Sequence, residues 1–282
     1  MKSKTLSTPP TTSDEAVENP WRILRAFTDA RIGLGRTGVS LPTHEMLAFQ
    51  LAHAQAKDAV HLPLDVQSLS IQLSSLQSQP KLFTLHSQAD DRLTYLQRPD
   101  LGKRLNEISR LGLMQDSEAH DFQYDLAIVV VDGLSSKAVQ QNTPKFIGTL
   151  FKDIRNTPSL TNIRIAPLCI VEQGRVAIGD EIGELLNAQL VIILIGERPG
   201  LSSPDSLGLY LTWQPKVGLN DAYRNCISNI RPAGLAFKDA SQKALYLIQE
   251  SRRLKLSGVN LKDRSHEKTI EHEEENKNFL IE

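Results

Sequence analysis

Hydrophobic positions are spread unevenly along the chain, and their spacing predicts two kinds of structure. Residues 1 to about 20 (MKSKTLSTPPTTSDEAVENP) hold mostly Ser, Thr, Pro and acid with almost nothing to bury, and read as a flexible arm. Ordered structure is expected from Trp21. Pro42-Thr43 opens a helix in which Thr43 can cap and Met46, Leu47, Phe49, Leu51 and Ala54 give a partly apolar face. Asp65 to Gln79 reads as further helix, and Lys81 to His86 and Leu93 to Leu96 as short extended pieces. Arg98-Pro99-Asp100 turns the chain before a helix carrying Leu101, Leu105 and Ile108. Residues 21–110 are therefore expected to be mainly helical.

From Asp125 the pattern changes. Leu126 to Val131 is a continuous, largely β-branched run, as expected for a strand buried on both faces of a parallel sheet. It ends in Asp132-Gly133-Leu134-Ser135, and Ala138 to Leu150 then reads as a helix. Ile163 to Ile170 predicts a second strand, Asp180 to Leu186 a helix, and Leu190 to Ile195 a third strand. Leu207 to Trp213 and Cys226 to Ile230 read as further strands, and Asp239 to Leu254 as a final helix. This alternation predicts an α/β fold over residues 111–261, a Rossmann-like, doubly wound, mostly parallel sheet. The tail, residues 262–282, is densely charged without an apolar stripe and reads as solvated.

Composition narrows the class. The 282 residues suit one or two domains, and 40% hydrophobic with 23% charged residues suits a globular protein rather than a disordered or fibrous one. Lys+Arg 32 against Asp+Glu 33 leaves a net charge of -1, which gives no reason to expect nucleic acid or anionic lipid as a partner. Two cysteines, Cys169 and Cys226, make neither a disulfide framework nor a CxxC metal site, which fits a reducing compartment. The start has no apolar signal-peptide core, and Leu190 to Ile195 is too short to span a bilayer. The expectation is a soluble, cytoplasmic protein with no membrane or nucleic-acid partner.

Candidate chemistry is confined to loops. In open parallel sheets, ligands bind beyond the carboxyl ends of the strands. Three segments stand there: Asp132-Gly133-Leu134-Ser135, Gly196-Glu197-Arg198-Pro199-Gly200, and Cys226-Ile227-Ser228-Asn229. Gly and Pro can merely turn the chain, and Asp or Ser can merely cap a helix. Glu197-Arg198 is harder to reduce to that role, because a turn does not need two opposite charges. Gly33-Leu34-Gly35-Arg36-Thr37-Gly38 formally matches GxGxxG, but no convincing strand precedes it and Pro42 interrupts the required helix. The histidines form no metal set, and neither GxSxG nor GxxxxGK[ST] occurs. No self-contained set of catalytic residues emerges, and Cys226 reads as a pocket-wall thiol or small core residue.

Several blocks, taken together, carry a resemblance. They include Arg31-Ile32-x-Leu34-Gly35-Arg36-x-Gly38, Tyr95-Leu96-x-Arg98-Pro99-Asp100-Leu101-Gly102-Lys103-Arg104-Leu105 and Val131-Asp132-Gly133-Leu134-Ser135. Ile195-Gly196-Glu197-Arg198-Pro199-Gly200-Leu201 and Arg224-x-Cys226-Ile227-Ser228-Asn229-Ile230 continue it. From about Trp21 to Leu261 the chain resembles the small (light) subunit of ethanolamine ammonia-lyase.

The resemblance implies an adenosylcobalamin-dependent carbon–nitrogen lyase that converts ethanolamine to acetaldehyde and ammonia by a radical mechanism. It implies a partner large subunit, a TIM barrel carrying substrate and radical chemistry, in a hetero-oligomer with several copies of each chain. Residues 21–110 would then make subunit contacts, and residues 111–261 would help bind the corrinoid. Carried over by position, the cobalamin contacts are Val176, Glu197 and Cys226, with no catalytic residue or metal ligand on this chain. The base-off motif DxHxxG is absent, in keeping with a family that keeps dimethylbenzimidazole on cobalt. Some relatives enter a bacterial microcompartment through an amphipathic N-terminal helix, which the Ser/Thr/Pro arm does not resemble. Two other readings stay open: a structural partner subunit that does not touch the cofactor, and a stand-alone α/β nucleotide-binding enzyme using the Gly33 loop.

Overall fold

The longest apolar runs of the chain become the middle of a sheet. The computed structural model describes residues 19–28, 30–76, 81–118 and 122–262. Its front half contains α1 (Thr43–His61), α2 (Val66–Ser74), β1 (Leu82–His86), α3 (Arg92–Gln97), α4 (Glu107–Glu118) and β2 (Tyr124–Val131). There follow α5 (Ser136–Asn156), β3 (Leu168–Glu172), α6 (Ile178–Leu185), β4 (Ala188–Gly196), β5 (Leu207–Trp213), β6 (Arg224–Ile230) and α7 (Phe237–Leu254). The arm and the charged tail lie, apart from their inner ends, outside the described residues.

The fold is α/β, with one six-stranded sheet in the order β1-β3-β2-β4-β5-β6. Strands β1, β3, β2 and β4 run parallel, whereas β5 is antiparallel to β4 and β6 to β5. The sheet is therefore mixed, which corrects the expectation of a mostly parallel sheet at its far edge. The reason lies in the connections. A parallel return needs a crossover, usually a helix, of about a dozen residues or more. The chain instead goes from β4 to β5 through residues 197–206 with no helix, and from β5 to β6 with only a 3-10 turn at Asp221–Tyr223.

Both faces of the central strands are covered. Leu126, Ile128 and Val130 of β2 face one core with Val139, Phe146 and Leu150 of α5 and with Ala244 and Ile248 of α7. Ala127, Val129 and Val131 face the other, with Leu113 of α4 and with Ile178 and Ile182 of α6. The alternation of side chains along a strand sends every second residue to each core, so a fully apolar run satisfies both.

Three local expectations are corrected. Leu93 to Leu96 is helical, because Asp91 caps it: the Thr94 N–H donates to the Asp91 carboxylate at 2.7 Å. The helix expected to carry Leu101, Leu105 and Ile108 is a 3-10 turn at Leu101–Lys103 followed by α4, which starts where the Asn106 side chain accepts from the Ser109 N–H at 2.9 Å. The strand expected from Ile163 begins at Leu168, after Pro167, which has no N–H to give a ladder. Ile165 forms only an isolated bridge to Leu126.

The chain divides into two units, residues 1–52 and 53–282. In the first, the Asn19 side chain accepts from the Trp21 N–H at 3.2 Å and donates to the Gly33 carbonyl at 2.8 Å. Gly33 has φ +59°, and a Cβ there would stand 2.6 Å from the Trp21 carbonyl oxygen. Among the described residues, Gly33 and Gly35 lie in irregular chain, Gly38 lies in the turn closed by the isolated Thr37–Ser40 bridge, and no strand precedes them. Arg25 holds the buried carboxylate of Glu45 with two hydrogen bonds, at 2.5 and 3.0 Å. Trp21, Ile23, Phe27, Leu47 and Leu51 are all exposed.

Candidate functional site

The adjacent parallel strands β2 and β4 leave the sheet in contact with each other. Gly133, at φ +61°, has no room for a side chain: a Cβ would stand 2.3 Å from the Gly196 carbonyl oxygen. The Leu134 N–H donates to that same oxygen at 2.9 Å. Ser135 then caps α5, accepting from the Ala138 N–H at 3.2 Å, and donates its own proton to the Pro204 carbonyl at 2.8 Å. Capping and turning are therefore real roles of this segment.

Asp132, 1% exposed, ties the loop after β2 to the loop after β3. Its carboxylate accepts the N–H groups of Gly133 (2.7 Å), Gln173 (2.9 Å) and Gly174 (3.1 Å), with Arg92 Nη1 at 3.5 Å. Burial pushes its pKa up to about 6, against the pull of these N–H groups and of Arg92. The tie orients residues 173–177, which carry Val176 into α6. Val176 is half-buried and packs on the α6 face of the sheet, and its carbonyl accepts from the Gly179 N–H at 3.2 Å.

Glu197 directly follows β4. Its N–H donates to the Ser206 carbonyl at 2.9 Å, and its carboxylate accepts from the Ser206 hydroxyl, the Ser228 hydroxyl (2.6 Å) and the Asn229 N–H (3.2 Å). To reach Ser228 the side chain crosses Gly208 of β5, where a Cβ would stand 2.9 Å from Glu197 Oε1. Glu197 thereby joins the ends of β4, β5 and β6.

Cys226 lies on β6 opposite Tyr210 of β5, which lies opposite Ile193 of β4. Ile193 and Tyr210 belong to the α6 face, and register puts Cys226 on that face too. Partial desolvation by its neighbours raises the thiol pKa of Cys226, though the residue keeps an exposed face; a hydrogen bond with Tyr210 opposes the rise and the Glu197 charge adds to it. Burial likewise raises Tyr210, assisted by Cys226 and Glu197. Both groups are protonated at neutral pH, so this ledge offers hydrogen bonds and a neutral sulfur rather than a base or a nucleophile.

The three expected contacts therefore come from three separate segments of the sheet's α6 face. Glu197 and Cys226 are close enough to affect each other electrostatically, and Val176 stands at the start of α6. Cys226 and Ser228 are exposed. Ser206, Gly208 and Tyr210 join the site only through strand register, which the sequence does not display directly. The strand alternation of Leu207 to Trp213 was the available signal, because it places Gly208 and Tyr210 on one face. Among the described residues no group of three or more His, Cys, Asp or Glu could hold a metal ion, and no helix is long and apolar enough to cross a membrane.

Comparison with known proteins gives a consistent match over most of the chain. The family model described as "Ethanolamine ammonia-lyase light chain (EutC)" matches residues 18–262. An ethanolamine ammonia-lyase small subunit of Pseudomonas fluorescens (strain Pf0-1) is 55% identical over 267 residues, covering 94% of this chain and 95% of that protein. The small subunit of Pseudomonas aeruginosa (strain UCBPP-PA14) is 54% identical over 269 residues, covering 95% and 96%. That of Pseudomonas putida (strain F1) is 54% identical over 267 residues, covering 94% and 96%.

Proposed function

Because the chain belongs to the ethanolamine ammonia-lyase light-chain family, we propose that it is the cobalamin-contacting small subunit of an adenosylcobalamin-dependent lyase that converts ethanolamine to acetaldehyde and ammonia. The observation that carries the proposal is the ledge at the sheet edge, where Glu197, Tyr210, exposed Cys226 and exposed Ser228 present hydrogen-bonding groups around a glycine-cleared floor. A corrinoid carries amide side chains on a broad apolar ring. A carboxylate with a lone pair to spare can accept an amide N–H, hydroxyls can serve amide carbonyls, and Val176 and the neutral Cys226 can meet the ring. The residues fit the group. When bound, adenosylcobalamin supplies the radical chemistry; this chain's residues bind and orient it and shield one side from water.

The relatives are named small subunits, so a large subunit completes the enzyme in this reading. That partner, a TIM barrel in a hetero-oligomer of several copies, carries the substrate. Exposed Trp21, Ile23, Phe27, Leu47 and Leu51 support a subunit-contact role for the N-terminal region, since large apolar groups at this density mark interaction surfaces. We take the four parallel strands, with helices on both faces, as a Rossmann-like core suited to a ligand at its strand ends. The protein would act in the cytoplasm.

One observation favours a purely structural role for Glu197: Ser206, Ser228 and Asn229 already engage its two oxygens. The variants Glu197→Gln and Cys226→Leu separate the readings in the assembled enzyme. The proposal expects each to weaken adenosylcobalamin binding by about tenfold with assembly intact. Loss of assembly with wild-type cofactor affinity in the complex that remains would make the role structural.

A further inference from the structure

On β6, alternation puts Arg224 and Cys226 on one face, and Ser228, in the bulge that follows Ile227, reaches the same side of the sheet through Glu197. Ser228 is thereby tied to the end of β4. Arg224 is tied to α6 through a buried ion pair with Asp180, the two side chains being 2% and 1% exposed. We propose that Arg224 and Asp180 form the positioning pair of the corrinoid site, fixing the strand that bears Cys226 against the helix that begins beside Val176. This rests on the cofactor-contact reading above.

The geometry makes the pair the second of two ties around Cys226. Helix α6 sits directly on β4: a Cβ at Gly179 would stand 2.3 Å from Ile193 Cγ1. The helix that follows Val176 and the strand that precedes Glu197 are therefore packed directly against each other. Arg224 fastens β6 to that helix by donating from Nη2 to the Asp180 carboxylate and to the Leu219 carbonyl at 3.1 Å. From Nη1 it donates at 2.9 Å to Asp221, just before β6. The guanidinium thus holds α6, the 219–221 turn and its own strand together. Cys226 lies midway between this anchor and Ser228.

Stability alone does not account for so costly a device. A buried ion pair is seldom more stabilising than an apolar pair of similar volume, and this one leaves Asp180 Oδ1 and Arg224 Nε buried without a hydrogen-bond partner. What an apolar pair would lack is a fixed direction and register. The guanidinium, with Nη2 on Asp180 and the Leu219 carbonyl and Nη1 on Asp221, sets the angle between β6 and α6, and the first-turn location of Asp180 suits its negative charge.

The test uses the full-length chain with its large subunit. Cys226 reports the position of β6 directly, because it is exposed while Cys169 is buried. Asp180→Asn and Arg224→Lys are each assayed for the reaction rate of Cys226 with a disulfide reagent, in the chain alone. Adenosylcobalamin affinity is then measured in the complex. A matched control, Leu247→Ala, lowers stability from the other face of the sheet without touching the pair. The proposal expects Asp180→Asn to change the thiol rate by about threefold or more and to weaken cofactor binding by about tenfold. Arg224→Lys, which keeps the charge but loses the fork, falls between this variant and wild type, and Leu247→Ala keeps the wild-type thiol rate. Should Asp180→Asn fail to fold, Arg224→Lys against Leu247→Ala decides alone. A wild-type thiol rate in the pair variants, or one shared with Leu247→Ala, overturns the positioning role. A changed thiol rate with wild-type cofactor affinity overturns the proposal differently: the pair positions Cys226, and the reading of Cys226 as a cofactor contact is what fails.

Discussion

The Ser228 hydroxyl donates to Glu197 Oε1 at 2.6 Å across the full width of strand β5. Two residues separated by 31 positions meet because the residue between them in space, Gly208, has no side chain. The arrangement turns three strand ends into one polar ledge, and it depends on a space that a single methyl group would fill.

Gly208→Ala tests that dependence. The new Cβ would meet Glu197 Oε1, Cγ and Cδ at 2.9, 3.0 and 3.2 Å. These belong to the far part of a flexible side chain, which can swing aside, so the stability cost is expected to stay below about 1 kcal/mol. Displacement of Glu197 should nevertheless weaken adenosylcobalamin binding in the assembled enzyme as much as Glu197→Gln does. Absorbance titration with the cofactor measures this; wild-type affinity in Gly208→Ala would count against the placement of Glu197 as important.

Gly133→Ala should behave in the opposite way. There φ is +61° and the Cβ would meet backbone, the Gly196 carbonyl oxygen at 2.3 Å, so nothing flexible can yield. A destabilisation of about 3 kcal/mol or more is expected from strain at a positive φ combined with the clash. Urea unfolding of the two glycine variants side by side checks the contrast, and equal stability losses would contradict it.

Asp132 makes stability depend on pH. Its folded pKa, about 6, lies above the ordinary carboxylate value because burial disfavours the charge. The folded state therefore holds a proton that the unfolded state releases. Its contribution is fully present below about pH 4 and is lost as pH rises through about 6, a change of about 3 kcal/mol across that window. Burial shifts Asp180 in the same direction, against Arg224. Unfolding measured from pH 4 to 7.5 should show wild type losing stability relative to Asp132→Asn as pH rises. A difference that does not vary with pH would contradict the assignment.

The exposed apolar side chains of the N-terminal unit should matter to assembly rather than to folding. Phe27 is 84% exposed and Leu47 56%, so Phe27→Asp and Leu47→Glu remove little internal packing. Their expected effect is reduced co-purification with the large subunit, with the thermal unfolding of the isolated chain changed little. Undiminished assembly in both variants would point the subunit contact to another surface.

What was legible in the sequence follows from how local each determinant is. Strands β2 and β4 were readable because burial on both faces demands continuous apolar runs, Leu126 to Val131 and Leu190 to Ile195. Leu93 to Leu96 looks extended in the sequence because a helix of six residues has no room to display a 3.6-residue period; the Asp91 cap decides it. The antiparallel turn at β5 was signalled by the helix-free stretch 197–206, a feature of connection length rather than of apolar pattern. The segments around Asp132, Glu197 and Cys226 were identified by their place after or within strands. The partners of Glu197 were not, since Ser206, Gly208 and Ser228 approach only through strand register. The role of Arg224 was hidden for the same reason: Asp180 lies 44 residues away, and nothing near either residue in sequence announces the other.

The most direct test of a cobalamin-contacting, non-autonomous subunit is ethanolamine-dependent acetaldehyde release. It is measured with adenosylcobalamin for this chain alone, the large subunit alone and the two together, with cofactor affinity followed in each mixture. The account predicts turnover and tight cofactor binding only when both chains are present. Turnover by this chain alone, or full activity and full cofactor affinity in its absence, would contradict it.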